Sequence, residues 1–182
     1  MERIRTLVNE LRVNDENFAF EHVLNNLEDV IEKFGVKVFY SDMSGFPNPR
    51  KVSGYTRIAE NGQPEIVVNA KEPEGRRRFT MAHELGHIIM HWGYPESKIS
   101  KDQMTILYRQ DSYYNSDLYE YEKEANEFAA QLLAPIDVIE RVIVEPVSSF
   151  EEDQLDFLSS RIAESFNITK SFANVQLEKL RA

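Results

Sequence analysis

The segment FTMAHELGHIIMHW, residues 79–92, constrains the fold more than any other part of the chain. It holds three of the four histidines, with Glu84 directly after the first. HELGH matches the pattern H-E-x-x-H. Residues four apart on an α-helix lie about 40° apart around its axis, so His83 and His87 share a face and can aim imidazole nitrogens at one ion. Glu84 is turned about 100° from His83. From there its carboxylate can reach a water at that ion without ligating the ion, as a general base must. Met81, Ala82, Leu85, Ile88 and Ile89 make the same helix apolar and largely buried. Two histidines and a glutamate are costly to bury unless they are paired or hold a metal. The competing reading of such a cluster is a satisfied polar network with no chemistry. His91 continues the four-residue series but drifts about 80° from His83, to the edge of the site, where contact with substrate or plain packing are its expected roles.

A catalytic zinc site normally takes three protein ligands and leaves one position open. The chain has no cysteine, so the third ligand must be His, Asp or Glu, and disulfide and thiolate sites are excluded. His22 falls on an amphipathic helix ahead of the sheet and reads as a partly exposed helix histidine. EYEKEANEFAAQLLAP, residues 120–135, is the better source. Its helix packs through Tyr121, Ala125, Phe128, Ala129, Leu132 and Leu133. Glu120, Glu122 and Glu124 precede the packed part. Glu122 shares an edge with Ala125, Asn126 and Ala129, whereas Glu124 lies on the opposite shoulder, and helical geometry excludes neither. Ala125 and Ala129 suit a close crossing with the histidine helix.

Around these segments the pattern is mixed. Ile4, Leu7, Val8 and Leu11, then Val23, Leu24, Leu27, Val30, Ile31 and Phe34, recur at helical spacing, with Gly35 placed as a helix-ending glycine. VKVFYSD (36–42) reads as a strand, and YTRIA (55–59) with EIVVNA (65–70) as a hairpin around ENGQP, either strand of which is a candidate edge for an extended substrate. The histidine helix is expected over 73–91 as one piece. Residues 93–118 read as a long polar and aromatic connection whose Tyr94, Tyr108, Tyr113 and Tyr114 are, with His91, candidate oxyanion donors. Arg76, Arg77 and Arg78 read as a solvated face or an acidic partner's docking patch. The boundaries expected are N-terminal helices at 1–35, a core at 36–146 and a helical pair at 147–182, packed as one continuous domain.

RFTMAHELGHIIMH followed by EKEANEFAAQLLAP resembles the ImmA/IrrE family of zinc metallopeptidases, over roughly residues 36–180. The resemblance implies an α+β fold, a mainly helical zincin-like domain with a small, mostly antiparallel three-stranded sheet. It implies Zn2+ as cofactor, His83, His87 and Glu122 as its ligands and Glu84 as the base. In glutamate-ligand families the residue four beyond the ligand hydrogen-bonds a zinc histidine, which gives that role to Asn126. Glu124 is the alternative ligand. Asn126 stands where thermolysin-like enzymes carry Asp, so the charge that would make the histidine a stronger ligand is missing there.

Charge and composition narrow the partners. With 31 acidic and 21 basic residues the formal charge is −10, which disfavours tight nucleic-acid binding by the whole chain. The charged N-terminus and the absence of a long apolar run point to a cytoplasmic protein without a membrane span. The tail, 158–180, has a helix-turn-helix outline but few base-reading residues. Three functions compete: a zinc endopeptidase, a zinc-binding regulatory module that does not cut, and a DNA-binding regulator using the tail. The resemblance favours the first, since family members often cut helix-turn-helix repressors of mobile elements or stress responses.

Overall fold

The computed structural model describes residues 2–96, 105–108 and 116–181. The apolar spacing at the N-terminus builds two helices. α1 (Glu2–Asn14) buries Ile4 and Val8, and α2 (Phe20–Lys33) buries Val23, Leu27, Val30 and Ile31. α2 is broken at Asn26, whose backbone leaves the helical region (φ −154°, ψ 78°) and whose side chain accepts from the Asp29 N–H at 3.2 Å, capping the second segment. Ahead of the break, the Val23 carbonyl accepts from Arg78 Nη2 at 2.9 Å. Gly35 ends α2 at φ +99°, and the Val36 N–H returns to the Ile31 carbonyl at 3.2 Å, the closure a left-handed glycine permits.

The sheet runs β1-β3-β2-β4, formed by β1 (Lys37–Ser41), β2 (Val52–Ile58), β3 (Pro64–Asn69) and β4 (Thr105–Tyr108). β2 and β3 form the expected antiparallel hairpin, with Tyr55 opposite Val67. The α+β class holds, and the sheet departs from expectation in two ways. β1 pairs with β3 in parallel, so the sheet is mixed, and the long connection adds a fourth strand, β4, antiparallel to β2. TILY is short and set in polar surroundings, so no alternation betrays it. β4 covers the outer side of β2, and β3 lies between β1 and β2. EIVVNA is therefore no edge, contrary to the expectation that it could pair with a substrate backbone, and β4 covers YTRIA only as far as Thr56.

α3 (Glu74–Gly86) lies against β2 and β3. It does not continue to residue 91 as a regular helix. It passes into one π-helical turn, His87–His91, in which the Trp92 N–H reaches the His87 carbonyl at 3.1 Å. Bonds spanning five residues put more residues in each turn, so each rotates less and His91 drifts less from the line of His83 and His87 than an α-helix would make it. The arginines at the head of α3 differ in their surroundings. Arg78 is buried on α2, Arg76 lies over the Phe79 ring at 5.8 Å and Arg77 over the Tyr40 ring at 5.7 Å.

α4 (Ser116–Leu133) crosses α3 and stops before Pro135, after which α5 (Ile136–Val142) begins. α6 (Glu152–Phe166) turns through left-handed Asn167 (φ 49°) into α7 (Lys170–Arg181). α7 buries Phe172, Ala173, Gln176 and Leu177. Gln176 Nε2 donates to the Ala134 carbonyl at 2.6 Å, Lys179 pairs with Glu127 at 2.7 Å, and Phe172 sets its ring edge-on to Phe79. α7 thus turns its apolar face to the body of the protein, while Ser171, Asn174, Val175 and Glu178 stay exposed. The main apolar core runs from Ile4 to Leu177, and Met43, Val52 and Val67 form a small second cluster. Among the described residues, no helix is long and apolar enough to cross a membrane.

Candidate metal centre

α3 carries its polar residues inside. His83 and Glu84 are fully buried and His87 nearly so. The two histidine Nε2 atoms converge to 3.0 Å. α4 brings Glu122 to them, with Oε2 3.3 Å from His83 Nε2 and Oε1 3.2 Å from His87 Nε2. What lets α4 approach so closely is Gly86. A Cβ there would lie 3.1 Å from Phe128 Cβ, tighter than nearly all real contacts. Ala125 and Ala129 are fully buried. The site thus rests on a glycine on one helix and alanines on the other.

These three residues form a set able to hold a metal ion, their ligand atoms all within 4.8 Å of one another. Donors about 2.0–2.1 Å from a tetrahedral zinc stand roughly 3.3 Å apart, close to the separations found here. The donor chemistry, two imidazoles and a carboxylate, suits zinc equally well. Burial on its own pushes the Glu122 carboxyl up, but the hydrogen bonds to His83 and His87 outweigh it and hold the group down at about 2. The carboxylate is therefore ionised and ready to ligate through the whole physiological range.

Both rings are held from behind. His83 Nδ1 lies 3.0 Å from Asn126 Oδ1, the partnership expected of that asparagine. His87 Nδ1 lies 2.8 Å from His91 Nδ1, and His91 Nε2 lies 3.1 Å from Glu124 Oε2. Glu124, the alternative ligand, is thus engaged with His91 and stands outside the three-residue set. His91, a candidate oxyanion donor, has both ring nitrogens committed and none to offer a substrate oxygen. Burial lowers its pKa, against the opposing pull of Glu124. Tyr121 stacks on it with ring centroids 4.3 Å apart.

Glu84 faces the sheet, where the Thr56 hydroxyl on β2 donates to its Oε2. Of the tyrosine candidates, Tyr94 donates its hydroxyl to the Gly35 carbonyl at 3.3 Å and packs against Phe34, away from the histidines. Tyr108 pairs through its backbone with Val52 in the sheet, its side chain lying outside the described residues, as do Tyr113 and Tyr114. His22 is exposed and bonds the Glu16 carbonyl. Sequence reasoning missed Thr56 and Gly86. A glycine inside an apolar helical run was the available signal for the second. For Thr56 there was none beyond its place on a strand facing α3.

The profile of the peptidase M78 family, described as the IrrE N-terminal-like domain, matches residues 31–178. That span contains all four strands, α3, α4 and every residue of the site. No curated protein matches the chain significantly.

Proposed function

Because this chain belongs to the peptidase M78 family of IrrE N-terminal-like domains, we propose that it is a zinc-dependent endopeptidase acting on a protein partner. The observation that carries the reading is the convergence of His83, His87 and Glu122 beside a buried Glu84 that does not join them. A purely structural polar cluster has no need of a fourth group, a separately oriented carboxylate. His83, His87 and Glu122 would hold the ion. Bound there, zinc would supply Lewis acidity to a peptide carbonyl and acidify a water.

The remaining work falls to the protein. Glu84 takes a proton from the attacking water as its oxygen bonds the carbonyl carbon. It then delivers that proton to the amide nitrogen as the C–N bond breaks, and the base is regenerated. Thr56, donating to Glu84 Oε2, keeps the carboxylate from turning into the core. Asn126 fixes the His83 ring. The substrate proposed is a helix-turn-helix transcriptional repressor or antitoxin-like partner, in keeping with the resemblance read from the two motifs.

The test is co-expression of the chain with the repressor encoded beside its gene, as wild type and as Glu84→Gln, with zinc content measured in both. Cleavage by the wild type, lost in a variant that keeps its zinc, is the expected result. A repressor that stays intact with the zinc-loaded wild type under inducing conditions overturns the reading for that partner. Zinc binding without cleavage of any partner tried leaves the regulatory module as the better description.

A further inference from the structure

The chemistry above makes no use of His91 or Glu124. We propose that they form a relay that orients His87 and makes it a stronger ligand: Glu124 holds His91, and His91 holds His87. The inference rests on the reading of His83, His87 and Glu122 as zinc ligands.

With an ion held at His87 Nε2 in place of a hydrogen, one assignment of protons satisfies every atom of the relay. A carboxylate only accepts, so the His91 Nε2, 3.1 Å from Glu124 Oε2, carries a hydrogen. Neutral His91 then has its lone pair on Nδ1, which faces His87 Nδ1 at 2.8 Å. His87 must therefore carry its hydrogen on Nδ1, and its lone pair is left on Nε2. That is the atom 3.0 Å from His83 Nε2 and 3.2 Å from Glu122 Oε1. Moving either hydrogen to the other nitrogen of its ring sets two lone pairs or two N–H groups against each other. The relay thus selects the tautomer a metal needs.

The two histidines are supported differently. His83 leans on a neutral amide, Asn126. His87 leans on an imidazole backed by a carboxylate. The negative charge missing at Asn126 is present on the other arm, carried through His91. Polarisation along a chain of hydrogen bonds strengthens its far end, and partners of this sort raise ligand basicity. Two features of the fold build the arm. The π turn keeps His91 beside His87, and Tyr121 stacks on the outer face of the His91 ring. The His91 side chain is 8% exposed and that of Glu124 33%, so the relay runs from solvent edge to buried ligand.

The experiment measures zinc affinity of the full chain by competition with a chromophoric chelator, a readout independent of activity. His91→Phe is expected to weaken zinc by about 10–100-fold. Glu124→Ala weakens it in the same direction, and Glu124→Gln, whose amide oxygen still accepts from His91 but carries no charge, restores the part of the loss that comes from orienting the ring. The double variant His91→Phe/Glu124→Ala is no weaker than His91→Phe alone, because the two act in series. Wild-type affinity in folded His91→Phe, or losses that add, overturns the relay. Should circular dichroism show His91→Phe unfolded, the Glu124 pair decides alone: wild-type affinity in Glu124→Ala overturns it. Glu122→Ala is the control. If it keeps zinc, or the wild type binds none, the metal-site reading fails and the relay with it. If Glu122→Ala loses zinc and the relay variants do not, only the relay fails.

Discussion

The two helices that make the site meet it under opposite conditions. α3 presents His83, Glu84 and His87 from within the core, against the sheet and α2. α4 presents Glu122 and Glu124 near its N-terminal end, their side chains 24% and 33% exposed. The rings on α3 are placed by packing in the core and by the partners behind them, Asn126 and His91. The carboxylates on α4 are placed by their partners. The consequence is a division of labour. Changes at Glu84 and the sheet behind it should alter chemistry while sparing metal affinity, and changes at the α4 carboxylates should alter metal affinity first.

The largest expected effect breaks the α4 side. Glu122→Ala removes a direct ligand and should weaken zinc by more than the ~10–100-fold that an outer hydrogen-bonding partner is worth. Glu124→Ala should stay within that range and keep stoichiometric zinc when zinc is in excess. Metal analysis after dialysis at fixed free zinc separates them. Equal zinc in Glu122→Ala and wild type would remove Glu122 from the site and dissolve the contrast between the helices.

Removing the metal sharpens the same contrast. At free zinc about 100 times its dissociation constant, binding stabilises the fold by ~2.7 kcal/mol, so chelation should lower the thermal midpoint. Hydrogen exchange should localise the change. Amides around residues 119–126 are expected to lose protection, because the carboxylates there lose the ion that holds them. Amides of 79–86 should keep theirs. Equal loss in both helices would show that α3 is no more self-supporting than α4.

Gly86→Ala tests the joint between the helices. The added methyl meets Phe128 on α4 inside van der Waals contact, with Cβ and ring atoms 3.1–3.2 Å from the ideal Cβ position. Overpacking of this kind costs ~1–3 kcal/mol, against the gain in helix propensity of roughly 1 kcal/mol that replacing a glycine brings. A net loss of stability on chemical denaturation, with weaker zinc binding because Glu122 is pushed back, is expected. A stabilised Gly86→Ala would mean that α4 yields freely and that the close crossing is not what positions Glu122.

Much of this was legible before the structure, for physical reasons that differ by residue. His83, Glu84 and His87 could be read because a helix fixes relative angle from spacing alone. Glu122 and Asn126 needed the family resemblance, because spacing along one helix says nothing about where a second helix crosses it. The role of His91 was out of reach. An α-helix predicts a drift that the π turn at His87–His91 reduces, and its partner Glu124 lies on another element. β4 and the parallel pairing of β1 were illegible for the same reason: a four-residue strand has too little pattern, and pairing direction depends on contacts distant in sequence.

The smallest effect bears on the α3 side and separates chemistry from metal. Thr56 is buried on β2, and its hydroxyl donates to Glu84. Thr56→Val keeps the volume and removes the donor. A hydrogen bond to a charged group contributes ~1.5–3 kcal/mol. Water or a shifted neighbour would recover part of that, so a fall of about tenfold in kcat/KM on the cleaved partner is expected, equivalent to ~1.4 kcal/mol. Thr56→Ser keeps the hydroxyl and should regain most of the rate, which a role in packing alone would not produce. Zinc affinity should match the wild type in both variants, since the metal set is His83, His87 and Glu122 and the hydroxyl of Thr56 serves Glu84. A Thr56→Val protein with wild-type rate and weakened zinc would place Thr56 in support of the metal instead, and the division between the two helices would fail at its most buried point.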